Sequence, residues 1–379
     1  MNQTVIVLGA GYAGILACNR LAKLNRKLNI TLINDGDYFV ERIRNHEIAS
    51  GKKLNEYPIR NLLRNHVQFL NARALHLDPV LRKVQVSTLS EPLAYDYLIY
   101  ALGSTWIQSK GSFQNVITKA HSKQLHSHFQ TNPSGMAWIV GAGLTGIELV
   151  MELSETYPHW KFGIVTKGSF ASSFSKKGTH YLRKVFMKNN IQIAENTEIT
   201  KHTNGEIYLA NGSKFKCDLQ IHTQGFLSSQ LAKDSGLKTN ERNQVYINPY
   251  LQVPSFPEIY VAGDASCLEG SDLRMGCVTA MPMGVYAAEC IQRSILHQKL
   301  KPFEFKFTGR CVSLGRKHGL IQLTNAKDHP TERIITGRMG AFIKELVCKY
   351  TLVSLKLEKR LPFRAYFWPK EKLTSLTIP

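Results

Sequence analysis

Short, wholly apolar runs alternate along this chain with longer stretches in which apolar residues recur every three or four positions. Residues 4–8 form one such run, and helical spacing follows from Ile15 to Leu24. Residues 136–140 form another, again followed by a helical stretch, to Ser154. A strand without a polar face is one covered on both sides, as in a parallel sheet flanked by helices. Residues 30–33, 95–100, 217–221 and 258–261 read as further strands of this kind, and residues 277–296 as a helix. The pattern predicts an α/β chain. It changes near the C-terminus: residues 311–322 read as strand, basic turn and strand. From Arg338 onward, Met339, Phe342, Ile343, Leu346, Val347, Tyr350 and Val353 fall at the spacing of an amphipathic helix. This last part is expected to be a small α+β unit.

The polar residues between the apolar runs bring in the chemistry. Gly9-Ala10-Gly11-Tyr12-Ala13-Gly14 joins the first strand to the first helix. In such a turn the first glycine permits the tight bend, the second leaves room for a pyrophosphate, and the third lets helix and strand approach. The anion then lies at a helix N-terminus, where unpaired N–H groups favour it. Gly141-Ala142-Gly143-Leu144-Thr145-Gly146 repeats the device. Two such units imply two bound dinucleotides. Where an acid is expected to grip the first adenosine ribose stands Asn34, with Asp35 next to it.

Charge and cysteine content narrow the setting. The 379 residues carry a net charge of +20, and from Lys299 to the end 17 basic residues face 6 acidic ones. Basicity is therefore mainly a C-terminal property, suited to phosphate-bearing molecules or an anionic surface. Seven scattered cysteines without a close pair argue for a reducing, cytoplasmic setting and against a disulfide framework or a metal site. No run approaches the roughly 18 apolar residues of a membrane span, so any membrane contact is expected to be peripheral.

In their order and spacing, the two glycine turns and residues 95–104, 217–225 and 258–265 resemble the two-dinucleotide flavoproteins. These are the pyridine-nucleotide oxidoreductases, and within them the type II NADH dehydrogenase and apoptosis-inducing-factor-like branch. The resemblance covers residues 1 to 320. It implies two Rossmann-like domains, for FAD and NAD(P)H, plus the C-terminal unit: an FAD domain of residues 1–107 and 238–305, an NAD(P)H domain of 108–237 between them, and a C-terminal domain of 306–379. It places FAD on Gly9, Gly11, Ala13, Gly14, Asn34 or Asp35, Arg42, Ala74, Ala101, Gly103, Gly263 and Asp264, and NAD(P)H on Gly141, Gly143, Gly146, Thr166, Lys167 and Gly225. NADH users of the family carry an acid where this chain has Thr166. A hydroxyl beside Lys167, Ser169, Lys176 and Lys177 suits a 2′-phosphate, so NADPH is expected to be preferred over NADH, the alternative being that these lysines are merely a solvated face.

Hydride passes from the nicotinamide to the flavin in such proteins, and few catalytic side chains are needed. Arg42, which would steady reduced flavin, and His46, which would donate a proton, are spaced to share one helix face. Ion pairing of Arg42 with Glu41 or Glu47 is the other reading. Glu148 would touch the nicotinamide ribose or cap its helix. With no dithiol, electrons are expected to leave the flavin directly for a quinone-like or other small acceptor. Val278 and Pro282 stand where type II NADH dehydrogenases carry two glutamines, and Met281 and Met283 either face the acceptor or fill the core. The basic amphipathic helix lies on an anionic membrane or docks on the FAD domain. The aromatic residues after 361 pack over the flavin or across a homodimer contact. A redox-sensitive module binding nucleic acid through its basic surface is the competing function, without a recognition motif to support it.

Overall fold

The computed structural model describes residues 2–106, 114–115, 118–203, 205–271 and 273–373. The expected boundary at 107/108 and the last six positions lie outside them. The first sheet has six strands in the order Gln252–Val253, Phe256–Val261, Tyr97–Tyr100, Thr4–Leu8, Asn29–Asn34 and Val67–Asn71. All are parallel except the edge strand Gln252–Val253. Its strands thus come from two stretches separated by more than a hundred residues. The second sheet is parallel and is built from what lies between: Gln114–Asn115, Leu219–His222, Gly135–Val140, Trp160–Val165 and Gln192–Ala194.

Parallel strands bury both faces, which is why these segments carry Val, Ile and Leu without alternation. Val5 to Leu8, Leu98 to Tyr100 and Ile259 to Val261 are all essentially inaccessible to solvent. Helix Tyr12–Leu24 covers the first sheet and packs along helix Cys277–Ile295. The approach is close: a Cβ built on Gly284 would lie 2.2 Å from the Ala13 carbonyl oxygen. In the second sheet Trp138 is fully buried and its indole N–H donates to the Lys216 carbonyl at 3.0 Å.

The C-terminal part is a three-stranded antiparallel sheet, Gly309–Ser313, Gly319–Thr324 and Pro330–Thr336, followed by helix Gly337–Arg360. Val312, Leu314 and Leu320 join the apolar core of the second domain, whereas Leu355, Tyr366 and Trp368 join that of the first. The segment thus ties the two parallel-sheet units together.

The helix turns over relative to what its apolar stripe suggests. Its buried face consists of Gly340, Lys344, Cys348, Thr351, Ser354, Leu355 and Glu358. Met339, Phe342, Leu346, Val347, Tyr350, Val353 and Leu357 are exposed, Phe342 at 60 %. Docking of the stripe on the first domain, one of the two expectations, is therefore not what forms. The polar side chains find ionic partners inside: Lys344 reaches Glu148 at 3.2 Å and Glu358 accepts from Lys23 at 2.7 Å. A buried charge without a partner is costly, so the face that can be paired is the one turned inward.

Candidate active site

The two glycine turns have nearly the same backbone. Gly11 and Gly143 precede their helices with φ of −77° in both cases and ψ of −170° and −177°, and neither helix start is closed by a side chain. A Cβ on Gly14 would lie 1.9 Å from the Gly9 carbonyl oxygen, and one on Gly146 would lie 1.9 Å from that of Gly141. No side chain fits there. At Gly11 and Gly143 the same Cβ would meet nothing within 4 Å. Each turn therefore offers open space in front of uncapped helix N–H groups, a fit for a dinucleotide pyrophosphate.

Their surroundings differ. Asn34 accepts from the Ala10 amide at 2.9 Å and donates to the Gly36 carbonyl at 2.9 Å, so this side chain braces the first loop. Asp35 is exposed and paired with Arg73 at 2.7 Å, next to Ala74 at the start of its strand. Ala101 closes the far side of the turn, its carbonyl lying 2.4 Å from a Cβ built on Gly9, and Gly103 lies next to Arg42, whose Nη1 would be 3.7 Å from a Cβ there. At the second turn Thr223 plays that part. Its hydroxyl donates to the Val140 and Gly141 carbonyls, each at 3.1 Å, just ahead of Gly225.

Asp264 organises the mouth of the first domain. One carboxylate oxygen accepts from the Gly276 amide at 2.7 Å, the other from the Ser104 hydroxyl at 2.7 Å. Arg42 donates to the Ser104 carbonyl at 2.7 Å and is enclosed beside the same carboxylate. The alternative pairing belongs to its neighbour: Arg44 holds Glu47 at 2.6 Å, Glu345 at 2.9 Å and Glu41 at 3.7 Å. Arg42 and His46 do not share one helix face. A 3-10 turn, Arg42–Arg44, breaks before the short helix Asn45–Ala49, and the two side chains diverge.

His46 instead meets the second domain. Its Nδ1 lies 3.6 Å from Glu148. The same glutamate faces Lys344 at 3.2 Å and accepts from the Ser313 amide at 3.1 Å. Burial, aided by the Lys344 and Arg44 cations, holds His46 well below the usual imidazole range despite the nearby acids. Nε2 of His46 is buried and has no hydrogen-bond partner among the described residues. Lys344 is the member that sequence reading missed. It counts there as one cation of a basic helix, and only its phase with Gly340, Cys348 and Thr351 would have separated it.

Met281 and Met283 are buried, as core residues are. No disulfide joins any of the seven cysteines. Cys277 and Cys311 are brought within electrostatic reach of one another and of Cys348, and burial, first of all, pushes the Cys277 and Cys311 thiols up to about 12. Thiolates, the reactive form, are scarce at neutral pH under those conditions.

A sequence profile described as pyridine nucleotide-disulphide oxidoreductase matches residues 3–288. The chain belongs to that family. It is an FAD-dependent oxidoreductase that takes hydride from NADH or NADPH to flavin. A type II NADH:quinone oxidoreductase of Staphylococcus haemolyticus is 27 % identical over 390 residues, covering 91 % of this chain and 94 % of that protein. Among solved structures, the sulfide:quinone oxidoreductase of Aquifex aeolicus superposes with a TM-score of 0.81 at 19 % identity, over 94 % of this chain and 92 % of that one. NDH2 of Plasmodium falciparum, solved with NADH, gives 0.79 at 15 % identity over 96 % and 100 %. The α/β architecture with two Rossmann-like domains is common to them. These likenesses do not favour a nucleic-acid-binding module.

Proposed function

We propose that this family member is a NAD(P)H:quinone oxidoreductase working at a membrane surface, with FAD on residues 1–107 and 238–305, NAD(P)H on 108–237 and the surface contact on 306–379. The observation that carries the reading is the outward apolar face of helix Gly337–Arg360. Seven large apolar side chains are presented to solvent on one helix, beside Lys349 and Lys356. Exposed apolar area of this kind marks a partner or membrane contact, and basic residues at its margin favour anionic lipid. A quinone dissolved in such a surface is an acceptor that needs no thiol. Among the described residues no helix is long and apolar enough to cross a membrane, so the contact is interfacial.

FAD, when bound, supplies the hydride acceptor and the two-electron donor. Gly9, Gly11, Ala13 and Gly14 would hold its pyrophosphate, with Asn34 and Asp35 at the adenosine side and Ala74 beyond. Ala101, Gly103, Gly263 and Asp264 would enclose the flavin end, where Arg42 contributes positive charge. Gly141, Gly143, Gly146 and Gly225 would hold NAD(P)H, with Thr166 and Lys167 at its ribose. Lys167 is paired with Glu198 at 2.5 Å, which tempers the cation that the NADPH preference rests on. Glu148, clamped by Lys344 and Ser313, would position the helix on which the nicotinamide half rests.

Anaerobic bleaching of the purified yellow protein by NADH and NADPH, followed by mixing with a short-chain quinone or with a disulfide, tests the acceptor. Rapid reoxidation by the quinone alone is expected; reoxidation by the disulfide alone would remove the proposal. The surface contact is tested by Phe342→Ser with Leu346→Ser. Each lost side chain should weaken vesicle binding about tenfold or more, with flavin bleaching unchanged.

A further inference from the structure

A cavity lies along the C-terminal half of helix Cys277–Ile295, where none of the residues assigned above is found. It measures about 330 Å³ and shares Glu289, Arg293 and Arg364 with a more open neighbour of about 420 Å³. Both are of a size that holds small ligands, roughly 300–1,000 Å³. Five cations, Arg20, Arg293, Lys301, Arg364 and Lys370, line the two cavities against two acids, Glu289 and Glu304. Glu289 is already met by Arg20 at 2.8 Å and Arg364 at 3.3 Å. Among the described residues Arg293, Lys301 and Lys370 form no ion pair, so the excess positive charge has no internal counterion.

The wall is held in place. Trp368 is buried and its indole N–H donates to the Glu304 carbonyl at 2.8 Å. Its ring carries the Arg364 guanidinium at 4.8 Å and the Lys370 ammonium at 4.9 Å, and Phe367 lies 5.1 Å from the same guanidinium. Cations stacked on an aromatic ring are fixed in direction without being neutralised. Arg364 also donates to the Tyr366 carbonyl at 3.0 Å, yet its Nη2 is buried and has no partner among the described residues. In the neighbouring cavity the same holds for Oε1 of Gln292. Arg364 and Gln292 line the same cavity, and a ligand offering both an acceptor and a donor could meet the unpartnered Nη2 and Oε1 atoms.

We propose that this cavity binds the headgroup of an anionic phospholipid, a phosphodiester with a hydroxyl-bearing substituent such as glycerol. Phosphate oxygens meet Arg364, Lys301 and Lys370, and a headgroup hydroxyl donates to Gln292. The location favours a lipid over a soluble phosphate. Phe363 and Phe367, both exposed, bracket Arg364 along the chain, and the Tyr350 hydroxyl donates to the Phe367 carbonyl at 3.3 Å. Tyr350 belongs to the outward face of helix Gly337–Arg360, so the cavity borders the surface assigned to the membrane, and in that respect the inference rests on the proposed function.

The test uses the full FAD-loaded chain and calorimetric titration with three soluble probes: monomeric dihexanoyl phosphatidylglycerol, dihexanoyl phosphatidylcholine and glycerol 3-phosphate. The phosphatidylglycerol should bind most tightly. The exposed double variant Lys301→Gln/Lys370→Gln should lose about tenfold of that affinity while keeping its thermal transition, and Arg364→Gln should lose at least as much. Equal binding of the two lipids, or no effect of either variant, overturns the site. Glycerol 3-phosphate binding as tightly as the phosphatidylglycerol overturns the lipid as occupant. Vesicle sedimentation separates the two readings: failure of the wild type to bind neutral or anionic vesicles removes the membrane role, while selective binding of the short-chain lipid still upholds the cavity.

Discussion

The two glycine turns share a backbone and differ in everything around it. In both, the third glycine approaches the first so closely that a Cβ would stand 1.9 Å from a carbonyl oxygen. The first turn opens toward Arg42, Ser104 and Asp264, and its helix is backed by helix Cys277–Ile295. The second leads into Glu148, Lys344 and His46, a buried charged cluster drawn from three separate parts of the chain. The same local device thus meets two different sets of side chains, each supplied from elsewhere in the chain.

Substituting the equivalent glycines should separate the halves most sharply. Gly14→Ala should yield a colourless protein, since the Cβ collides with backbone that cannot move without opening the turn. Gly146→Ala should remain yellow but lose about 100-fold in the rate of anaerobic bleaching by NAD(P)H, because displacements near 1 Å in a binding element cost that much. Visible spectra and stopped-flow absorbance distinguish the two. If both variants behaved alike, the assignment of one turn to each cofactor would fall.

A smaller effect is expected from the cluster behind the second turn. Lys344→Met leaves the Glu148 carboxylate buried beside no cation and should lower unfolding free energy by about 3 kcal/mol, read as a shifted denaturant midpoint. The double variant Lys344→Met/Glu148→Gln should regain part of that loss. An unchanged midpoint in the single variant would show that the cluster carries no structural charge pairing.

His46 gives a pH-dependent version of the same contrast. Burial and the neighbouring cations depress its folded-state value well below 6.5, so the unfolded chain takes up a proton that the folded chain refuses. Stability should therefore fall as pH drops below about 6.5, by up to about 1.4 kcal/mol per pH unit, until the depressed value is reached. His46→Asn should flatten that acid limb, and a limb of unchanged slope would place its origin elsewhere. The smallest change is expected at the exposed pair: Glu198→Gln frees Lys167 and should raise the NADPH to NADH ratio of kcat/KM by about threefold.

Most of the nucleotide-binding framework was legible in the sequence. Continuous apolar runs marked both sheets, and the glycine spacing marked both turns, since each is decided by backbone sterics over a few adjacent residues. The spacing of Arg42 and His46 misled, because a 3-10 turn intervenes and Arg44 takes the acids that Arg42 was candidate for. Asn34 was expected to grip a ribose, and in this structure its two polar groups brace the loop. The one signal for Lys344 was its helical phase with Gly340, Cys348 and Thr351.

By itself, then, the sequence determined the strands, the two turns, the lack of a local dithiol and the phase of the C-terminal helix. Only the tertiary structure decided which side of that helix faces inward. An apolar stripe gains by burial anywhere it finds cover, but Lys344 and Glu358 lose less inside than elsewhere only where Glu148 and Lys23 await them. Those partners come from distant parts of the chain, and no local spacing encodes where they meet.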